Sequence, residues 1–196
     1  DILPSLDKAL TKALTKAGDR CAAIFSPWMT CEEAYMLASY LHAHSPKVRM
    51  ALGPVRIEGE DDRYPKDFHG RVVEPVKFTI RSEKAPNRRG VSMVLDYFGA
   101  RSTFGDVVAQ AAAGGIEMLY AVGGDPAGWL DAKQAEALAR PELVVVQDIL
   151  PSALAEQADY VLTGGSFAER DGCFVNHKGL AQEIHRSIRS PDGARP

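Results

Sequence analysis

The chain has 196 residues, 45% hydrophobic and 25% charged, which suits one globular domain with a core large enough to stand without staples. Its formal net charge of −3 lacks the positive excess of a polyanion binder and argues against a nucleic-acid partner. Three scattered cysteines, Cys21, Cys31 and Cys173, argue against a disulfide framework, fit a reducing compartment, and cannot supply four ligands to an iron–sulfur cluster. No apolar run approaches the roughly 20 residues that span a membrane. The first residue is Asp1 rather than Met, which suggests a piece of a longer chain.

The spacing of Leu6, Leu10, Leu14 and Ala17 predicts a helix. Cys21–Phe25 reads as a buried strand, followed by the loop 26–29. Thr30 and Glu33 match a capping box, which opens a helix through Tyr35, Leu37, Ala38 and Leu41. Residues 48–52 form a second strand. Residues 53–86 break any regular pattern, apart from one short strand over 76–80. So long an excursion in a compact domain serves function or contacts another part of an assembly. Residues 91–98 and 103–113 are predicted helical, 116–122 a strand, 123–126 a turn, 129–139 a helix and 143–147 a strand. A short helix over 152–157 and a last strand over 160–162 precede a Gly- and Asn-rich loop, 163–178. The domain is expected to span 1–189, with 190–196 a flexible tail.

Strands alternating with helices predict an α/β fold of three layers on a mostly parallel five-stranded, Rossmann-like sheet. If the long passage between the second and third strands crosses the sheet, the order is 2-1-3-4-5. The switch point then brings 26–29 beside 123–125, where ligands of such sheets bind.

Several groups lie where chemistry is done. Gly123 and Gly124 end a strand, where backbone N–H groups can approach a phosphate, or they simply make a tight turn. Asp125 is placed to cap the next helix, with Pro126 at its first position. Asp148, at another strand end, can accept from a ribose or guanine edge or cap a helix. The run from Gly164 and Gly165 through Asp171 to Asn176 either wraps a ligand or is a surface loop pinned by Phe167 and Phe174. Cys173 would need partners to act as nucleophile or metal ligand, and His177 is the near one. His42 and His44 lack a ligand set, Glu60-Asp61-Asp62 reads as a solvated loop, and Asn87-Arg88-Arg89 is a small anion patch, an interface contact or exposed charge. No catalytic constellation is complete.

The ordered set Val144-Val145-Val146-Gln147-Asp148-Ile149, Ala158-Asp159-Tyr160-Val161-Leu162, Gly164–Gly172 and Phe174-Val175-Asn176, with Tyr120–Pro126 before it, resembles the molybdopterin oxidoreductase family. Within that family, Ser26–Tyr35, Lys77-Phe78-Thr79, Asn87–Val91 and Asn176-His177-Lys178-Gly179 look most like the C-terminal part of the large iron–sulfur subunit of NADH-quinone oxidoreductase (respiratory complex I). Cysteines for the family's cluster and a ligand for its molybdenum have no counterpart here. Thr163 stands where the family commonly has proline, and Cys173 where it often has threonine. The resemblance implies a non-catalytic scaffold domain with no cofactor of its own, the iron–sulfur clusters lying in other parts of the full subunit. Its partners would be other subunits of a respiratory complex, in the cytoplasm and peripheral to the inner membrane. The alternative is a domain binding molybdopterin guanine dinucleotide in a molybdenum enzyme such as a formate dehydrogenase. Gly123, Gly124, Asp125, Asp148, Gly164, Gly165, Asp171 and Asn176 would then cradle the dinucleotide.

Overall fold

The computed structural model describes residues 2–195. Asp1 and Pro196, the last residue of the expected tail, lie outside them. The chain divides into two compact units, one built from the residues up to Pro54 and from Pro86 onward, the other from Val55–Ala85.

In the larger unit, helix α1 (Leu3–Ala17) buries Leu6, Leu10, Leu14 and Ala17 along one stripe, as a 3.6-residue period requires. Strand β1 (Cys21–Phe25) is buried throughout. Helix α2 (Cys31–His44) starts at the expected capping box: Glu33 N–H donates to Thr30 Oγ1 at 3.1 Å and Thr30 N–H to Glu33 Oε2 at 2.7 Å. Strand β2 (Arg49–Leu52) follows.

The smaller unit holds β3 (Asp62–Tyr64) and β4 (Phe78–Ile80), an antiparallel pair with Tyr64 opposite Phe78. Their rings stack at 4.9 Å, and the Lys66 ammonium lies 5.1 Å from the Tyr64 ring centre. Isolated bridges Ile57–Glu83 and Lys66–Val72 continue the ladder on either side.

The larger unit resumes with α3 (Arg88–Tyr97) and α4 (Phe104–Ala112), the latter opened by a second capping box from Thr103 and Asp106. Strand β5 (Met118–Val122) leads through a long turn to α5 (Ala132–Leu138), capped by Asp131. Strands β6 (Leu143–Asp148) and β7 (Tyr160–Thr163) complete the central sheet. The helix expected from 129 starts only at Ala132, because Asp131 is extended and forms the capping box with Gln134 that opens it. The helix expected over 152–157 is a single tight turn, Ala155–Gln157.

The central sheet runs β2-β1-β5-β6-β7, every neighbour parallel, which is the order anticipated from a crossing between the second and third strands. Alternate residues feed two cores. Cys21, Ala23, Phe25, Met118 and Tyr120 face α1, α2 and α3, while Ala22, Ile24, Leu119, Ala121 and Val146 face α4 and α5. The result is three layers with a sheet covered on both faces.

The expectation of a last strand at 160–162 and a loop over 163–178 is corrected. Beyond β7 come a single 3-10 turn (Phe167–Glu169) and an antiparallel hairpin of β8 (Gly172–Val175) and β9 (Ala181–Ile184). Strand β9 is mostly open to solvent, and β8 is half-buried at three positions and buried only at Val175, so no alternation of buried and exposed residues marks them in the sequence. Within the stretch expected as a tail, Arg195 N–H donates to Thr163 O and Gly165 N–H to Arg195 O, so this segment runs alongside the end of β7.

Candidate functional site

The carboxyl ends of β1, β5, β6 and β7 meet at the switch point. Gly124 turns the chain away from β5 at φ +115°, a region that favours glycine. A Cβ on it would sit 3.5 Å from Trp28 Cβ and 3.8 Å from Ser26 Oγ, so the two loops lie side by side as the topology required. Gly123 is needed for a different reason. The Asp148 carboxylate lies over it, and a Cβ there would fall 2.0 Å from Asp148 Oδ2.

Asp148 is buried, and both its oxygens are engaged. Oδ2 accepts from Trp129 Nε1 at 3.0 Å and Oδ1 from Ile149 N–H at 2.8 Å. It therefore caps no helix. Beside it Tyr120 donates to Gln147 Oε1 at 3.0 Å, and burial pushes the Tyr120 phenol up to about 12. Asp125 does not cap the next helix either. Its Oδ1 accepts from Ala127 N–H at 2.9 Å in a local turn, and Asp131 takes the capping role.

Two adjoining cavities, about 290 and 320 Å³, flank Asp148 and share Leu150, Pro151 and Ser152. The first is also lined by Asp125 and Trp129. Gly164 borders the same edge and donates its N–H to Asp148 O at 2.9 Å, while Gly165 donates to Arg195 O. Six of the eight sequence-derived candidates thus sit along this edge of the sheet.

The other two serve the hairpin. Asp171 Oδ1 accepts from Arg186 N–H at 2.9 Å. Asn176 Oδ1 accepts from Lys178 N–H and Leu180 N–H, and its amide donates to Gln182 Oε1, so it shapes the β8–β9 turn.

Two residues that tie the edge together were not anticipated. Asn87, read above as part of an exposed or anionic-ligand patch, is fully buried. Its Nδ2 donates to Met29 O at 2.7 Å and its Oδ1 accepts from Val175 N–H at 2.7 Å, which joins the 26–29 loop to the β8 strand. Arg170 forms a forked contact to Glu33 at 2.8 and 2.9 Å and donates to Trp28 O at 2.7 Å. It locks the segment before the hairpin onto the start of α2. The only sequence signals were an Asn next to a helix start and an Arg within a Gly-rich run.

Cys173 is not activated. Its backbone N–H donates to Glu32 Oε2 at 2.8 Å, and the Glu32 carboxylate pushes the thiol up to about 11. Burial raises Cys31, and burial pushes Cys21 up to about 11. All three thiols are protonated at neutral pH, the reverse of what a nucleophile or ligand needs. Among the described residues no three His, Cys, Asp or Glu side chains gather to hold a metal, and no helix is long and apolar enough to cross a membrane.

Residues 89–196 match the family model for molybdopterin oxidoreductase. The chain is 36% identical over 91 residues to the alpha subunit of F420-dependent formate dehydrogenase 1 of Methanococcus maripaludis, a stretch that is 45% of this chain and 13% of that protein. It is 38% identical over 80 residues to the second G-type subunit of NADH-quinone oxidoreductase of Rhizobium meliloti (40% and 9%). It is 33% identical over 89 residues to the G-type subunit of NADH-quinone oxidoreductase of Streptomyces coelicolor (45% and 10%). The matched stretch is about a tenth of the length of these relatives. The parallel sheet, the strand-end edge and the sequence match agree, and the chain belongs to the molybdopterin oxidoreductase family.

Proposed function

We propose that this chain is a non-catalytic scaffold domain of the kind found in the G-type subunit of NADH-quinone oxidoreductase, working within a multisubunit complex in the cytoplasm at the membrane face. The observation that carries this reading is the state of the groups meant to cradle a dinucleotide. Gly123, Gly164 and Gly165 spend their N–H groups on Gln147 O, Asp148 O and Arg195 O. The Asp148 carboxylate is spent on Trp129 and Ile149, and Asn176 on its own turn. A phosphate or guanine would have to displace protein bonds that are already made, and a stranded buried group costs about 1–3 kcal/mol. Five of the eight candidates are thus already engaged by protein partners, and this supports the scaffold reading.

A second reading, a molybdopterin guanine dinucleotide-binding domain of a molybdenum enzyme, is favoured by one feature, the 290 Å³ cavity lined by Asp125, Trp129 and Asp148. Native mass spectrometry of the purified chain with added dinucleotide separates the two. A scaffold stays at its apo mass, whereas stoichiometric uptake that is lost in Trp129→Ala would overturn the scaffold reading.

A further inference from the structure

The unit Val55–Ala85 has an unusual balance. No residue in it is buried. Six large apolar side chains, Ile57, Phe68, Val72, Val73, Phe78 and Ile80, are exposed. Its seven Lys and Arg are matched by seven Asp and Glu. Asp61–Arg81, Asp62–Lys66, Asp67–Arg71 and Arg56–Glu58 pair within the unit itself.

The turn at its tip is built in detail although it encloses nothing. Asp67 Oδ1 accepts from His69 N–H at 2.9 Å and Arg71 N–H at 2.8 Å, and Oδ2 accepts from Arg71 Nε at 3.0 Å. Asp67 N–H donates to Arg71 O, and Gly70 N–H donates to Asp67 O, with Gly70 at φ +79°. These bonds hold Phe68 out in solvent, 92% exposed, with the His69 ring against it at 3.7 Å between centroids.

We infer that Phe68, presented by the Asp67–Arg71 turn, is an anchor that inserts into an apolar pocket on another polypeptide. An aromatic ring fixed before binding loses little conformational entropy on docking, and such rings dominate interface energetics. The charge balance identifies the partner's chemistry. A nucleic acid or an anionic lipid surface would call for a basic excess, and an acidic or basic protein face for the opposite sign, yet the unit is neutral and its charges are largely self-paired. A charge-poor apolar protein surface suits it best. The inference does not depend on whether the sheet edge holds a dinucleotide.

The test is photo-cross-linking in cells making the full-length protein, with p-benzoylphenylalanine in place of Phe68 and, as control, in place of the exposed Glu60. The attached peptides are mapped by mass spectrometry. The expected result is attachment from position 68, and not from 60, to one site on a different polypeptide lined by apolar residues. Phe68→Ser should then lower co-purification of that identified protein at least about tenfold, at an unchanged melting temperature. Asp67→Ala, which keeps the ring but frees the turn, should lower it less. Adducts with lipid, adducts with a second copy of this chain, attachment to a charged site, or a yield no higher than at position 60 would each overturn the inference.

Discussion

Replacing Asn87 by alanine tests how the sheet edge is held. The change strands two buried groups at once, the Met29 carbonyl and the Val175 N–H, each now served at 2.7 Å. At about 1–3 kcal/mol for each stranded group, the loss is about 2–6 kcal/mol. One kcal/mol moves the midpoint of a domain this size by about 2–4 °C, so a fall of about 10 °C is expected in calorimetry. Amide exchange at Val175 should accelerate at the same time, because its acceptor has gone. Asn176→Ala, which removes a half-buried turn amide, is the control and should cost about 1 kcal/mol or less. Gly90 packs against the same amide. A Cβ at Gly90 would fall 2.2 Å from Asn87 Oδ1 and 2.6 Å from Cys31 Sγ. Gly90→Ala should therefore be strongly destabilising alone and less so beside Asn87→Ala, with a coupling above about 0.5 kcal/mol. A fall of under about 2 °C for Asn87→Ala, with an additive double variant, would refute the view that this amide joins loop and hairpin.

Arg170→Met removes the forked contact to Glu33 and the bond to Trp28 O, both only partly open to solvent. A loss of about 1–3 kcal/mol is expected in urea unfolding, and an unchanged midpoint would show that the contact adds nothing. Cys173 should label slowly with iodoacetamide at pH 8, and its rate should keep rising towards pH 11, where the carboxylate of Glu32 holds its ionisation. Glu32→Gln takes away that charge, so the labelling curve should move to lower pH, and an unmoved curve would exclude Glu32 as the cause. Cys21 bears on stability directly. Burial raises its folded value from 9.0 to about 11, so the thiol's contribution is complete below about pH 9 and is lost as pH rises towards 11. Cys21→Ala should flatten the fall in melting temperature over that window.

Much of the fold was legible because the interactions behind it are local. The box of Thr30 and Glu33 joins residues three apart, and the stripe of Leu6, Leu10 and Leu14 follows one helical period, so neither depends on the rest of the chain. The run of Val144, Val145 and Val146 suited a strand covered on both faces, and its neighbours are parallel on both sides. The sheet order followed once the long passage was taken to cross, and that order alone put Gly124 beside Trp28. The β8–β9 hairpin was hidden because β9 is exposed and β8 half-buried along three of its four residues, so neither strand alternates between core and solvent.

The sequence by itself thus determined the parallel α/β architecture, the capping-box start of α2 and the edge where a ligand of this fold would lie. Tertiary structure alone decided what the residues at that edge do. Asn87 reaches Val175 across 88 residues and Arg170 reaches Glu33 across 137, distances at which no local spacing rule operates. Asp148 was readable as a carboxylate at a strand end, yet whether it faces a ligand or Trp129 is set by where the turn after β5 folds back. A side chain's chemistry is written in the sequence. Which partner satisfies it depends on which distant groups the core brings within about 3 Å, and only the packed chain supplies that.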